Sequence, residues 1–122
     1  MKRCLFVDDS DVIRKVAKRI LGGEGFEILE AANGTDALAL CAREMPDIIV
    51  VDGALPDMTA VEFIQRVRAL QAPVRPRIAV SLTEVDIGAI MRTKRAGAQG
   101  YLLKPFNRSQ LLDRLRHLES AG

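Results

Sequence analysis

The chain has no tryptophan, one tyrosine, one histidine and two cysteines among its 122 residues. A single histidine with no cysteine cluster excludes the common zinc sites, which draw most of their ligands from those two residue types. Cys4 and Cys41 do not form a CxxC pair, and each falls at an apolar position of its segment. That placement predicts buried thiols rather than a disulfide or a metal site. No apolar run approaches the roughly 18–20 residues of a membrane helix, and the N-terminus lacks a signal-peptide core, so a cytoplasmic location is expected. A net charge of +2 is too mild to imply nucleic acid by itself. The charge is unevenly spread, however. Between Gln65 and Gly97, Arg66, Arg68, Arg75, Arg77, Arg92, Lys94 and Arg95 are opposed only by Glu84 and Asp86. Such a stretch reads either as a solvated basic surface or as a docking face for an acidic partner or a nucleotide.

What the chain does have is a fivefold alternation of strand-like and helix-like segments, with no gap long enough for a linker. The strand-like runs are Arg3-Cys4-Leu5-Phe6-Val7, Phe26 to Ala31, Asp47-Ile48-Ile49-Val50-Val51, Arg77 to Leu82 and Gly100 to Leu103. Between them lie helical stripes: Val12, Ile13, Val16, Ala17, Ile20 and Leu21; Ala37, Leu38 and Cys41; Val61, Ile64 and Val67; Ile87, Ile90 and Met91. Leu111, Leu112, Leu115 and Leu118 form the last. Ser10 and Thr35 are the expected caps of the first two helices, and Gly22, Gly23 and Gly97 the expected stops. Five βα units with short loops predict an α/β fold, a five-stranded parallel sheet with helices on both faces. Right-handed crossovers favour the strand order 2-1-3-4-5 at this size.

Ligands in such sheets bind beyond the carboxyl ends of the strands, where strands one and three diverge. Asp8 and Asp9 follow the first strand and Asp52 follows the third, so three carboxylates are expected to meet there. Like charges about 4 Å apart repel by roughly 4 kcal/mol at an effective dielectric near 20. The cluster therefore needs a cation, a shared proton or an ammonium. Hard cations such as Mg²⁺ take carboxylate oxygens, waters and a phosphate, and Lys104, just after the fifth strand, can supply the ammonium. Capping of following helices accounts for Asp8 or Asp9 but not for Asp52 or Lys104. In outline this is a phosphoryl-transfer site.

Val7-Asp8-Asp9-Ser10, Asp52 with Leu55-Pro56-Asp57-Met58, Ala96-Gly97-Ala98, and Tyr101-Leu102-Leu103-Lys104-Pro105-Phe106 occur in order along the chain. Together they resemble the receiver domain of bacterial two-component response regulators, the CheY-like fold, over essentially the whole length. The resemblance implies a phosphoacceptor at Asp52, charged by a sensor histidine kinase or a histidine phosphotransferase. It further implies Mg²⁺ on Asp9, Asp8, Asp52 and the backbone carbonyl of Ala54, with Lys104 paired to Asp52 and a cis bond before Pro105. Ala54 and Glu84 would flank the path of hydrolytic water. The implied docking face, on the fourth helix, fifth strand and fifth helix, would display Arg92, Arg95, Tyr101, Arg108 and Arg114 to a downstream target. One receiver domain over residues 1–122 is expected, with no attached output or DNA-binding domain. A monomer or weak dimer, with self-phosphotransfer and autodephosphorylation as its only chemistry, completes the expectation.

One departure stands out. The family places Thr or Ser 22 residues before the lysine, whereas here that position is Leu82, flanked by Ser81 and Thr83. Leucine cannot donate to a phosphoryl oxygen, so the switch that normally couples this position to the aromatic at Tyr101 is expected to be altered. Two other functions fit parts of the pattern. One is a phosphorylation-independent module that binds an acidic partner or nucleotide through its arginines. The other is a small haloacid-dehalogenase-like phosphatase, because Asp9-Ser10-Asp11 imitates that nucleophile motif.

Overall fold

Strand and helix alternate through residues 2–120, which the computed structural model describes. The elements are β1 (Lys2–Val7), α1 (Asp11–Gly22), β2 (Phe26–Ala31), α2 (Gly34–Arg43), β3 (Ile48–Asp52), α3 (Ala60–Ala69), β4 (Arg77–Leu82), α4 (Ile87–Ala96), β5 (Gly100–Leu103) and α5 (Arg108–Ser120). The sheet is parallel throughout, in the order β2-β1-β3-β4-β5. The expected fold and strand order are those observed.

Alternation along the strands divides the core in two. Leu5, Val7, Ile49, Val51, Ile78 and Val80 point to one layer, where they meet Ala37 and Cys41 of α2 and Phe63, Ile64 and Val67 of α3. Cys4, Phe6, Ile48, Val50, Ala79 and Leu102 point to the other, against Ala17, Ile20 and Leu21 of α1 and Leu111, Leu115 and Leu118 of α5. Both thiols are buried and free, one in each layer. Burial disfavours the thiolate, pushing Cys41 up to about 11 and Cys4 further still.

Four local expectations are corrected. Asp47 precedes β3 and instead accepts from the Arg3 backbone N–H at 2.9 Å, while Asp52 is the last residue of the strand. Asn33 rather than Thr35 caps α2, its side chain accepting from Asp36 N. Val12 is 64% exposed, because the inner face of α1 is set by Ala17, Ile20 and Leu21. On α4, Ile87 and Met91 are 63% and 48% exposed, and Thr93 is the one buried side chain of the helix. Thr93 is buried and Ala89, Ile90 and Ala96 are half-buried, so of the expected stripe Ile90 lies at the edge of the inner face while Ile87 and Met91 mark the outer one. Gly97, at φ 126°, ends α4 where a side chain would be strained.

Candidate functional site

The register that pairs Val7 with Val51 brings Asp8 and Asp52 to the same end of the sheet. Asp8 is 2% exposed and Asp52 6%, whereas Asp9, one residue further out, faces solvent. One oxygen from each of the three carboxylates lies within 4.8 Å of the others. Lys104, carried in on the strand end after β5 and followed by a cis peptide bond to Pro105, places Nζ 3.0 Å from Asp8 Oδ2 and 3.2 Å from Asp52 Oδ1. One ammonium against three carboxylates leaves negative charge uncompensated. Burial pulls the Lys104 pKa down, but the Asp8 hydrogen bond and the charges of Asp52 and Asp8 outweigh it and hold the ammonium above its ordinary value.

Backbone donors fix the two buried acids. Ser10 N donates to Asp8 Oδ1 at 2.9 Å, and Ala54 N to Asp52 Oδ1 at 3.0 Å. Among the described residues nothing hydrogen-bonds Asp52 Oδ2, which is left available. The donor set is all oxygen, with one member, Asp9, exposed to solvent, and this suits a small hard cation that keeps part of its water.

Some supporting contacts escape the sequence pattern. Arg14 Nη1 donates to the Asp8 carbonyl at 2.6 Å while its Nε reaches Glu30. Asp57 accepts from Gly34 N and Thr35 N at 2.9 Å each, and from the Thr35 hydroxyl at 2.7 Å. The Thr35 hydroxyl bond, then the two backbone donors, hold the Asp57 pKa below its usual value. The loop leaving Asp52 is thereby tied to the start of α2. Asp57 stands in the Leu55-Pro56-Asp57-Met58 run, but that run does not reveal Gly34 and Thr35 as its partners; Thr59, not Asp57, caps α3.

The residues around position 82 divide between two surfaces. Ser81 is buried and pairs in register with Asp52. Leu82 packs on the α2–α3 layer, and its Cδ2 lies over Gly53, where a Cβ would come within 2.7 Å. A cleft of about 270 Å³ opens above Asp52, walled by Ala54, Leu82, Thr83, Glu84 and Arg92. Arg92 therefore belongs to the edge of this cleft, while Arg114 stacks its guanidinium 5.2 Å from the centre of the half-buried Tyr101 ring. Arg95 is exposed on α4, and Arg108 is held by Glu24 beyond α1. A larger cleft, about 470 Å³, lies at the opposite strand ends, away from the acid cluster, and is lined largely by apolar groups such as Met45, Leu70 and Pro73.

The family model of the response regulator receiver domain matches residues 4–116. Sporulation initiation phosphotransferase F of Bacillus subtilis is 30% identical over 115 residues, covering 94% of this chain and 91% of that protein. The Vibrio cholerae chemotaxis protein CheY4 superposes with a TM-score of 0.91 at 36% identity, over 97% of this chain and 98% of the other. The receiver domain of the Pseudomonas aeruginosa sensor histidine kinase PA1611, solved with a magnesium ion coordinated in its active-site cleft, superposes at 0.86 with 26% identity and 98% coverage of both chains. Against several transcriptional regulatory relatives the chain spans about half their length, 48% or 50%. The chain belongs to the response regulator receiver domain family. It is a signalling domain homologous to CheY-type regulators and to the sporulation phosphotransferase.

The phosphatase alternative is not supported: Ser10 caps α1 and Asp11 is its first helical residue, so Asp9-Ser10-Asp11 is not an open catalytic loop. Nor do the relatives support an arginine-based nucleotide module, and Arg68, one of the basic run, is turned inward onto backbone carbonyls. No helix among the described residues is long and apolar enough to cross a membrane.

Proposed function

We propose that Asp52 accepts a phosphoryl group from the phosphohistidine of a sensor histidine kinase or histidine phosphotransferase, and that the modified domain signals in the cytoplasm by docking to a target protein. The observation that carries this reading is a buried carboxylate with one unengaged oxygen beside an ammonium 3.2 Å away. Asp52 Oδ2 attacks phosphorus in line with the P–N bond; the O–P bond forms as the P–N electron pair returns to the imidazole ring. Lys104 faces the charge that develops on the phosphoryl oxygens, and Ala54 N holds Oδ1 so that Oδ2 points outward. Asp9, Asp8, Asp52 and the Ala54 carbonyl would hold Mg²⁺, which supplies Lewis-acid neutralisation of the phosphoryl charge when bound. Ala54 and Glu84, both lining the cleft, set how water reaches the acyl phosphate and hence how long the mark lasts.

Docking is assigned to α4, β5 and α5. A groove of about 200 Å³ runs between Ile90 and Lys94 of α4 and Arg114 of α5, floored by Gly100 and Tyr101. Exposed Ile87, Met91 and Arg95 on α4 add apolar and cationic surface for a target with an acidic rim. Arg108, exposed and ion-paired with Glu24, lies at the far end of the same face and can exchange that weak surface pair for a target carboxylate.

Intact mass after incubation with Mg²⁺ and acetyl phosphate tests the acceptor. A gain of about 80 Da, one phosphoryl group, is expected for the wild type and none for Asp52→Asn. Equal gain in both proteins would remove Asp52 from the mechanism.

A further inference from the structure

Leu82 gives the cleft above Asp52 no hydrogen-bond donor, yet the cleft has one cationic side chain on its wall, Arg92. Arg92 sits on α4 and folds back one turn toward the start of that helix. Its Nη1 lies 3.0 Å from where a Cβ on Gly88 would be, and the capping carboxylate of Asp86 lies 3.4 Å from the same point. The missing side chain of Gly88 thus leaves the room in which the guanidinium lies. Among the described residues Arg92 makes no hydrogen bond, ion pair or ring contact, whereas Arg68 is hydrogen-bonded, Arg108 is ion-paired and Arg114 stacks on Tyr101. Its helix is held lightly, with Thr93 as the only buried side chain. A second cleft of about 430 Å³ lies between the start of α3 and α4, and Arg92, Ala89 and Gly53 line both. A free cation on a lightly anchored helix, with space on both sides, faces the place where a doubly charged group would appear.

We propose that Arg92 reads the phosphoryl group on Asp52: its guanidinium binds the phosphoryl oxygens across the cleft, and α4 moves with it. The inference rests on Asp52 being the acceptor. A guanidinium is always charged and its planar fork matches a phosphate in two parallel hydrogen bonds. It can therefore do by charge what a hydroxyl at position 82 would do by a single bond. Of the two hydroxyl residues that line the cleft, Ser81 is buried in β4, and Thr83, exposed on the loop before α4, is the competing donor.

The test uses the whole chain as wild type, Arg92→Gln, Arg92→Lys and Thr83→Ala, with Mg²⁺ and beryllofluoride as a stable stand-in for the phosphoryl group. Arg92 is exposed, so all variants should melt with the wild type. Arg92→Gln is expected to bind beryllofluoride about tenfold more weakly, the effect of losing a charge-assisted pair. It should also lose the hydrogen-exchange protection that beryllofluoride induces in α4. Arg92→Lys should recover part of both, and the gap from wild type should narrow in 1 M salt, where the Debye length is about 3 Å. Unchanged affinity and α4 protection in Arg92→Gln, or the same losses in Thr83→Ala alone, would overturn the proposal. A wild type that gains no phosphoryl mass would instead overturn the Asp52 reading, and Arg92 with it, so the two failures are told apart by mass alone.

Discussion

Replacing Lys104 by methionine is expected to slow phosphoryl uptake from acetyl phosphate by about 100-fold, the usual effect of removing one preorganised electrostatic partner from a transition state. The same change should weaken the fold when metal is absent. Asp8 and Asp52 are both nearly sealed from water, and Lys104 is the side chain that neutralises them. Breaking a fully buried pair costs about 3–5 kcal/mol; here the cluster is open on the Asp9 side, so roughly 2–3 kcal/mol is expected. Urea unfolding in EDTA measures it, and added Mg²⁺ should restore most of the loss by supplying the missing positive charge. Equal stability of wild type and Lys104→Met in EDTA would show that the ammonium does not hold the carboxylates together. The sign with pH follows from the raised Lys104 value. The proton is held more tightly in the folded chain than in the unfolded one, so the contribution is complete at neutral pH. It is lost only in the alkaline range, as pH rises through the folded value.

Arg68→Met is expected to destabilise the chain by about 2–3 kcal/mol without changing the phosphoryl mass gain. Arg68 Nη1 donates to Pro76 O at 2.8 Å, and its Nε and Nη2 both donate to Gly97 O, at 3.3 and 2.7 Å. Nη2 also reaches Gln99 Oε1 at 3.2 Å, and that oxygen accepts from Ile78 N at 2.7 Å. The guanidinium thus joins the end of α3, the connection into β4 and the turn from α4 to β5. Burial, then the charges of Arg75 and Arg77, lower its pKa, so the carbonyls must compensate an unfavourable setting. Methionine keeps much of the stem but leaves two part-buried carbonyls without donors, each costing about 1–3 kcal/mol. Thermal melting with intact mass as a parallel readout checks both halves. A variant that melts with the wild type would mean that water replaces the guanidinium freely.

The site lay close to the surface of the sequence because acids directly after apolar runs inherit the geometry of the sheet. Once β1 and β3 are neighbours, Asp8, Asp9 and Asp52 have nowhere else to go, and the strand order follows from chirality and loop length. The second bond of Lys104, to Asp8, did not follow, since it depends on how the chain turns after β5. α4 was the element read with the wrong face. Its Ile87 and Met91 carry the apolar period, but packing there is done by Ala89, Thr93 and Ala96, whose small side chains give periodicity little weight. Arg68 was counted as surface charge for a similar reason: composition records a guanidinium, not the three-dimensional convergence of Pro76, Gly97 and Gln99 around it.

The two free thiols have a kinetic consequence. Cys4 lies in the α1–α5 layer and Cys41 in the α2–α3 layer, on opposite sides of one sheet. Cys4 is sealed until its layer lifts away, whereas Cys41 borders the cleft at the opposite strand ends and needs a smaller opening; each must also ionise against the burial that raises its pKa. The native chain therefore carries a separate clock for each layer. Whether a phosphoryl group loosens one side of the sheet before the other can be timed with no label added to the protein.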